Sequence, residues 1–267
     1  MSEVVLKTVE EGVALITLNR PERLNAWTTE MGHAYFDVLE ECDASTDVRA
    51  IVVTGAGKGF CAGADMQELK ALGDGNLEGV SMFPDERPQT FPLSISKPIV
   101  AAVNGACAGL GLVLALMCDI RFAATGAKLT TAFSRRGLVA EHGISWILPR
   151  LVGPARALDL LLSGRVVLGE EAAALGMVNR AVELESLLDE TLAYARELAI
   201  NSSPASMATM KRQVYADLTR ELPEALEEAN RLMGESFTAP DFVEGVASFM
   251  EKREPRFAPL GGSAGGE

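Results

Sequence analysis

The sequence predicts an α/β fold followed by a helical C-terminal segment, and three observations carry the prediction. Short runs of β-type residues, AIVVTG, IVAAV and DIRFAAT, alternate with stretches of helical periodicity over the first half of the chain. Glycine turns end the first two runs, at Gly55-Ala56-Gly57 and Asn104-Gly105. From Gly153 onward the pattern is helical, in ARALDLLLSG, EEAAALG and LLDETLAYARELAI, then in SPASMATMKRQVYADL and ELPEALEEANRLMGESF.

At the start of the chain, VVLKTVEEGVALITLNRP holds two β-type runs around Glu11-Gly12, the signature of a hairpin. Thr28 or Thr29 then caps a helix reaching about Cys42, with Met31, Ala34, Tyr35 and Val38 at helical spacing. Ile99 to Cys118 carries no charge over 20 residues, the length of a membrane span. Asn104-Gly105 breaks it, and Gly109 and Gly111 precede LVLALMC, so it reads as a buried strand, a tight turn and a buried helix. Between Leu72 and Pro92 the chain is rich in Gly, Pro and charge, which predicts a mobile surface loop. Met82, Phe83, Phe91 and Leu93 near it either line a pocket or pin the loop. The expected division is a core over 1–195, a helical segment over 196–258 and a disordered tail over 259–267.

Composition narrows the function classes. A length of 267 residues with 48% apolar residues suits one sizeable α/β core with an appended segment. A net charge of −13 and only 6% aromatic residues argue against nucleic acid, and any phosphate-bearing ligand must be held by local donors against the overall field. Cys42, Cys61, Cys107 and Cys118 form no C-x-x-C pair and have no histidines at ligand spacing, so reduced thiols and no metal are expected. Glu3, Lys7, Glu10 and Glu11 interrupt any apolar leader, which makes the cytoplasm the expected compartment and a membrane an unexpected partner.

Two stretches bear on chemistry. In AIVVTGAGKGFCAGADMQEL a dinucleotide fingerprint would need glycine at Phe60, and a P-loop would need Ser or Thr where Gly59 stands. What remains is backbone freedom at Gly55, Gly57, Gly59 and Gly63, which aims N–H groups at a ligand or simply makes a tight surface turn. In KPIVAAVNGACAGLGLVLALMCDIRF a strand turns into Gly-Leu-Gly at the start of an apolar helix. Amides at a helix N-terminus lack intrahelical partners and suit an oxygen gaining negative charge; the alternative is that the glycines let the helix pack on the sheet.

Together, GKGFCAGADMQEL and KPIVAAVNGACAGLGLVLALMCDIRFA closely resemble the crotonase superfamily of enoyl-CoA hydratases and isomerases. RPERLNAW is similar to that family's acyl-CoA-binding segment, and LLLSGRVVLGEEAAALGMVNRAV to its late core. The resemblance implies a spiral of ββα units, C-terminal helices that build a homotrimer or homohexamer, and an acyl-CoA substrate. It also implies an oxyanion hole made by the amides of Ala64 and Leu110, and a coenzyme A path lined by Leu24, Ala26, Ala62, Asp65, Met66 and Gly111. Arg23 is a weaker phosphate partner. No cofactor is implied, coenzyme A being part of the substrate.

The chain departs from the hydratase pattern at both catalytic glutamates, where Val113 and Phe133 stand. Neither residue moves a proton, so the two-carboxylate addition of water is disabled in that arrangement. Glu141, in RRGLVAEHGISWILPRLVG, matches a position that carries the catalytic acid in some Δ3-Δ2-enoyl-CoA isomerases, dienoyl-CoA isomerases and a dehalogenase. An isomerase needs one base, and Glu141 is expected to serve, beside an acyl pocket of Val113, Phe133 and Leu138. The alternative is that Glu141 caps the following helix or pairs with Arg135 or Arg136. His142 is expected to support its neighbour, and Cys61 to pack. A hydratase, lyase or hydrolase with Glu141 activating water, and a non-catalytic acyl-CoA-binding protein, stay open beside the isomerase.

Overall fold

The computed structural model describes residues 4–74 and 87–260. β1 (Val5–Glu10) and β2 (Val13–Leu18) form the expected antiparallel hairpin, with Glu10 opposite Val13 and a two-residue turn at Glu11-Gly12. α1 (Thr29–Ala44) follows, and Thr28 is its cap: Oγ1 accepts the Met31 N–H at 3.2 Å. Its inner face buries Met31, Tyr35, Val38 and Leu39.

Three coils of the same plan come next. The first is β3 (Ala50–Gly55), β4 (Gly59–Cys61) and α2 (Met66–Gly73); the second is β5 (Ile99–Val103), β6 (Ala106–Ala108) and α3 (Leu110–Leu116). The third is β7 (Ile120–Ala124), β8 (Lys128–Thr130) and α4 (Ile144–Val152). α5 (Pro154–Ser163), β9 (Val167–Leu168), α6 (Gly169–Leu175) and β10 (Arg180–Val182) close the core. The first strand of each coil joins a six-stranded sheet, ordered β1-β2-β3-β5-β7-β10, and the second joins a four-stranded sheet, ordered β4-β6-β8-β9. β2, β3, β5, β7 and β10 run parallel. Every residue of β3 and β5 is buried, as the unbroken apolar runs AIVVTG and IVAAV require of strands covered on both faces.

Residues 99–118 form β5, β6 and α3, so the uncharged stretch is interior, and no helix among the described residues is long and apolar enough to cross a membrane. α7 (Leu184–Asn201) lies across the six-stranded sheet, burying Leu187, Thr191, Ala195 and Ala199 at helical spacing. The boundary expected between 195 and 196 falls inside this helix, whose buried face runs through both sides of the cut. α8 (Pro204–Asp217), α9 (Leu222–Ser236) and α10 (Pro240–Glu251) follow as the helical segment. Of the expected surface loop, 75–86 with Met82 and Phe83 lies outside the described residues, as does 261–267 of the expected tail. Phe91 packs its ring 5.5 Å from that of Phe36, and Leu93 is half-buried against the core.

Lys97 leads into β5 fully buried. Its ammonium donates to the Cys42 carbonyl at 2.6 Å and to the Ser45 carbonyl, so it satisfies the open end of α1. Lys97→Ala removes this donor from both carbonyls, leaving Ser45 O only the Val48 N–H at 3.4 Å, and is expected to lower stability by roughly 1–3 kcal/mol, read as a lower urea midpoint.

Candidate active site

The two glycine-rich segments meet. Gly63 has φ +100°, and a Cβ placed on it would sit 2.8 Å from the Ala108 carbonyl oxygen and 3.8 Å from the Leu110 nitrogen. The turn after β4 therefore lies against the turn between β6 and α3. Leu110 is the first residue of α3, preceded by Gly109 at φ +51°, so its N–H has no partner within the helix. On the other side, Trp27 N–H donates to Gly63 O and Asp65 N–H to Trp27 O, each at 2.8 Å. That pairing flanks Ala64 and turns its own N–H away from Trp27. At Gly111 the packing alternative holds: a Cβ there would stand 1.9 Å from the Cys61 carbonyl oxygen, so the first turn of α3 rests on β4.

The RPERLNAW loop is tied to this pair of turns. Leu24 and Asn25 both take positive φ, and Asn25 is fully buried, donating to Ala56 O at 2.9 Å and Gly59 O at 2.7 Å. Ala62 N–H donates to Leu24 O at 3.0 Å, and Arg20 Nη1 donates to Ala26 O at 2.6 Å. Leu24, Ala26 and Ala62 are thus brought together, with Met66 exposed at the start of α2 and Arg23 exposed in the loop. Asp65 is buried, and its carboxylate faces protein groups: Oδ2 accepts both Arg20 terminal nitrogens at 3.1 Å, and Oδ1 accepts the Gln67 N–H at 2.9 Å. Burial works to raise its pKa, but the Gln67 amide and the Arg20 guanidinium outweigh it and hold the carboxyl below the usual range. Arg20 and Asn25 were not singled out from sequence. The signal available was polar residues in a proline turn and one acid after the Ala62-Gly63 turn.

Glu141 lies in the turn that leads into α4. Its carbonyl accepts the Ile144 N–H at 3.0 Å, and the helix cap is Gly143, with no side-chain cap. Arg135 donates to Ser163 O and Arg136 to Ala132 O. Neither alternative role for Glu141, as helix cap or arginine partner, is therefore taken up. A Cβ on Gly143 would lie 3.1 Å from Thr90 Cγ2 and 3.4 Å from Met117 Cε, which seats this turn against the end of α3. Val113 and Phe133 are buried in the core, and Phe133 Cε1 would be 3.9 Å from a Cβ on Gly109, beside the Leu110 amide. Leu138, expected with them as pocket wall, is 37% exposed because it follows the 3₁₀ turn Ser134–Arg136 out to the surface.

His142 Nε2 stands 3.4 Å from Glu141 Oε2, with side chains 28% and 30% exposed. Burial pushes the imidazole pKa below its ordinary 6.5, and the neighbouring carboxylate offsets only part of that. Between the lowered folded value and 6.5, the unfolded chain binds more protons at His142 than the folded chain, so stability rises with pH through that window. The expected result is a wild-type melting temperature that climbs more steeply towards pH 6.5 than that of His142→Gln. The Cys61 thiol is fully buried and its pKa is pushed up to about 12, which suits packing and not nucleophilic attack. Among the described residues, no group of three or more His, Cys, Asp or Glu side chains is placed to hold a metal ion.

The enoyl-CoA hydratase/isomerase family model matches residues 8–259. The 1,2-epoxyphenylacetyl-CoA isomerase of Escherichia coli K12 is 38% identical over 263 residues, covering 96% of this chain and 99% of its own. The crystal structure of an enoyl-CoA hydratase from Mycobacterium marinum is 48% identical, covers 82% of this chain and 100% of its own, and superposes with a TM-score of 0.70. That of an enoyl-CoA hydratase from Polaromonas sp. JS666 gives 0.85 at 29% identity, covering 95% of this chain and 99% of its own. The spiral of coils, the paired glycine turns and these matches agree: the chain is an enzyme of the enoyl-CoA hydratase/isomerase family, within the crotonase superfamily.

Proposed function

We propose that this enzyme moves the double bond of 3-enoyl-CoA thioesters to the 2-position, with Glu141 as the acid/base and the amides of Ala64 and Leu110 as the oxyanion hole. The observation that carries the reading is the meeting of the Gly63 and Leu110 turns, in a chain whose two hydratase glutamate positions hold Val113 and Phe133. In the reaction, the Glu141 carboxylate takes a proton from C2. The C2 electron pair delocalises through the double bond and onto the thioester oxygen, where the two N–H groups stabilise the dienolate. The carboxylic acid then returns the proton to C4, leaving a 2,3-double bond and the starting carboxylate. One proton is taken and one is returned, so the reaction is redox-neutral and needs no redox cofactor.

Coenzyme A would lie along Leu24, Ala26, Ala62 and Met66, held chiefly by backbone and apolar contacts, which eases the difficulty posed by a net charge of −13. The exposed apolar side chains of α10, Val243 at 65%, Phe249 at 83% and Met250 at 74%, support a homotrimer or a homohexamer of two trimers, checked by sedimentation.

The test is incubation with 3-enoyl-CoA and 2-enoyl-CoA of several chain lengths in ¹⁸O-labelled water. Conversion of 3-enoyl to 2-enoyl thioester without label supports the isomerase. A second reading, a hydratase in which Glu141 activates water, is favoured by the relatives named hydratases and predicts ¹⁸O in the product.

A further inference from the structure

The segment that carries Ala64 is held unequally on its two sides. Gly63, before it, is held by its main chain alone, its carbonyl accepting the Trp27 N–H at 2.8 Å. Asp65, after it, is fastened by its main chain to Trp27 and by both carboxylate oxygens, to Gln67 N–H and to Arg20. Arg20 in turn bridges two places at once, because Nη1 donates to Ala26 O and to Asp65 Oδ2. One guanidinium therefore sets the distance between the RPERLNAW loop and the residue adjoining the Ala64 amide. Both partners are largely shielded, with side chains 19% and 10% exposed, so the pair is less screened than a surface ion pair.

The geometry points to Arg20 and Asp65 as a positioning pair for the Ala64 N–H, an inference that rests on the oxyanion reading above. Asp65 then serves the site through the backbone and not as a contact for coenzyme A. The physical reason is that an oxyanion donor must be held within roughly 0.5 Å of its productive place before charge develops. Gly63 adds one main-chain bond to that hold, and the Asp65 side, with side-chain bonds as well, is the stiffer constraint. Two consequences separate this from a merely structural ion pair. Loosening the pair weakens binding of an enolate more than binding of a neutral thioester. Lysine at position 20 does not substitute, since one ammonium nitrogen cannot reproduce the planar fork in which both terminal nitrogens hold Asp65 Oδ2 while Nη1 also reaches Ala26 O.

The experiment uses 3-oxobutanoyl-CoA, whose enolate absorbs in the near ultraviolet, and butanoyl-CoA, which stays a neutral thioester. The apparent pKa of bound 3-oxobutanoyl-CoA is read by absorbance titration for wild type, Asp65→Asn, Arg20→Lys and Glu141→Gln, with melting temperatures to verify folding. Arg20→Lys keeps a cation beside Asp65 and so guards against a variant that fails to fold. The expected result is a lowered pKa on the wild type and on Glu141→Gln. In Asp65→Asn and Arg20→Lys that lowering shrinks by about one pH unit or more, a tenfold loss of enolate preference. Affinity for butanoyl-CoA should change less than about threefold. Folded variants that keep the full lowering, or that weaken both thioesters equally, overturn the positioning role alone. A wild type that does not lower the pKa overturns the oxyanion reading, and this inference with it.

Discussion

Replacing Glu141 with glutamine is expected to lower turnover of 3-enoyl-CoA by roughly 10²–10⁴-fold. Glutamine keeps the shape and a hydrogen-bonding oxygen but has no basic carboxylate to take the C2 proton. The structural cost should be small. The side chain is 30% exposed, and Arg135 and Arg136 donate to backbone carbonyls, so removing the charge strands neither guanidinium. Its near neighbour is His142, whose lowered pKa favours the neutral imidazole and so leaves little charge to orphan. The measurement pairs turnover with deuterium exchange at C2 in heavy water and with acyl-CoA affinity. Loss of turnover and exchange together, at retained affinity, assigns the proton transfer to Glu141; unchanged turnover removes it from the mechanism.

Gly63→Ala is expected to lower kcat by about 10²–10³-fold, the loss typical of one missing oxyanion donor. The new Cβ would stand 2.8 Å from Ala108 O, closer than real contacts allow, and the residue would be held at φ +100°, a conformation that costs an L-residue roughly 1–3 kcal/mol. Either the Ala62–Ala64 turn moves or the turn at Ala108–Leu110 does, and in both cases the two amides part. Kinetics on the folded fraction, with the melting temperature recorded, check it. A variant that melts lower but keeps its kcat would show that Gly63 serves packing alone.

How much was legible in the sequence follows from where the physical signal resides. The hairpin at Glu11-Gly12, the Thr28 cap and the runs AIVVTG and IVAAV are local features with local causes, and each was read correctly. The four-stranded sheet was not, since β4, β6 and β8 are three residues long and β9 two, too short for any periodicity. They exist through pairings such as Cys61 with Cys107 and Cys107 with Leu129, which join distant parts of the chain. β10, a three-residue strand, escaped for the same reason. Among the candidate site residues, the glycine turns and Glu141 stand out through their motifs. The Arg20–Asp65 tie is invisible until the fold brings together residues 45 positions apart. Leu138 stands 37% exposed because a turn's direction is set by its φ values, here Gly137 at +70°, and not by its apolar neighbours.

The coil plan has a consequence for tolerance to change. Ala64 and Leu110 occupy equivalent places in consecutive coils, each just beyond the second strand, and those strands, β4 and β6, are paired in parallel. The separation of the two amides is therefore geared to the pitch between neighbouring strands, about 4.8 Å in any β-sheet. Such a gauge is indifferent to how long the excursion between the coils is. The stretch from the end of α2 to the start of β5 can lengthen, shorten or change composition, while the two amides proposed to hold the thioester oxygen keep their spacing.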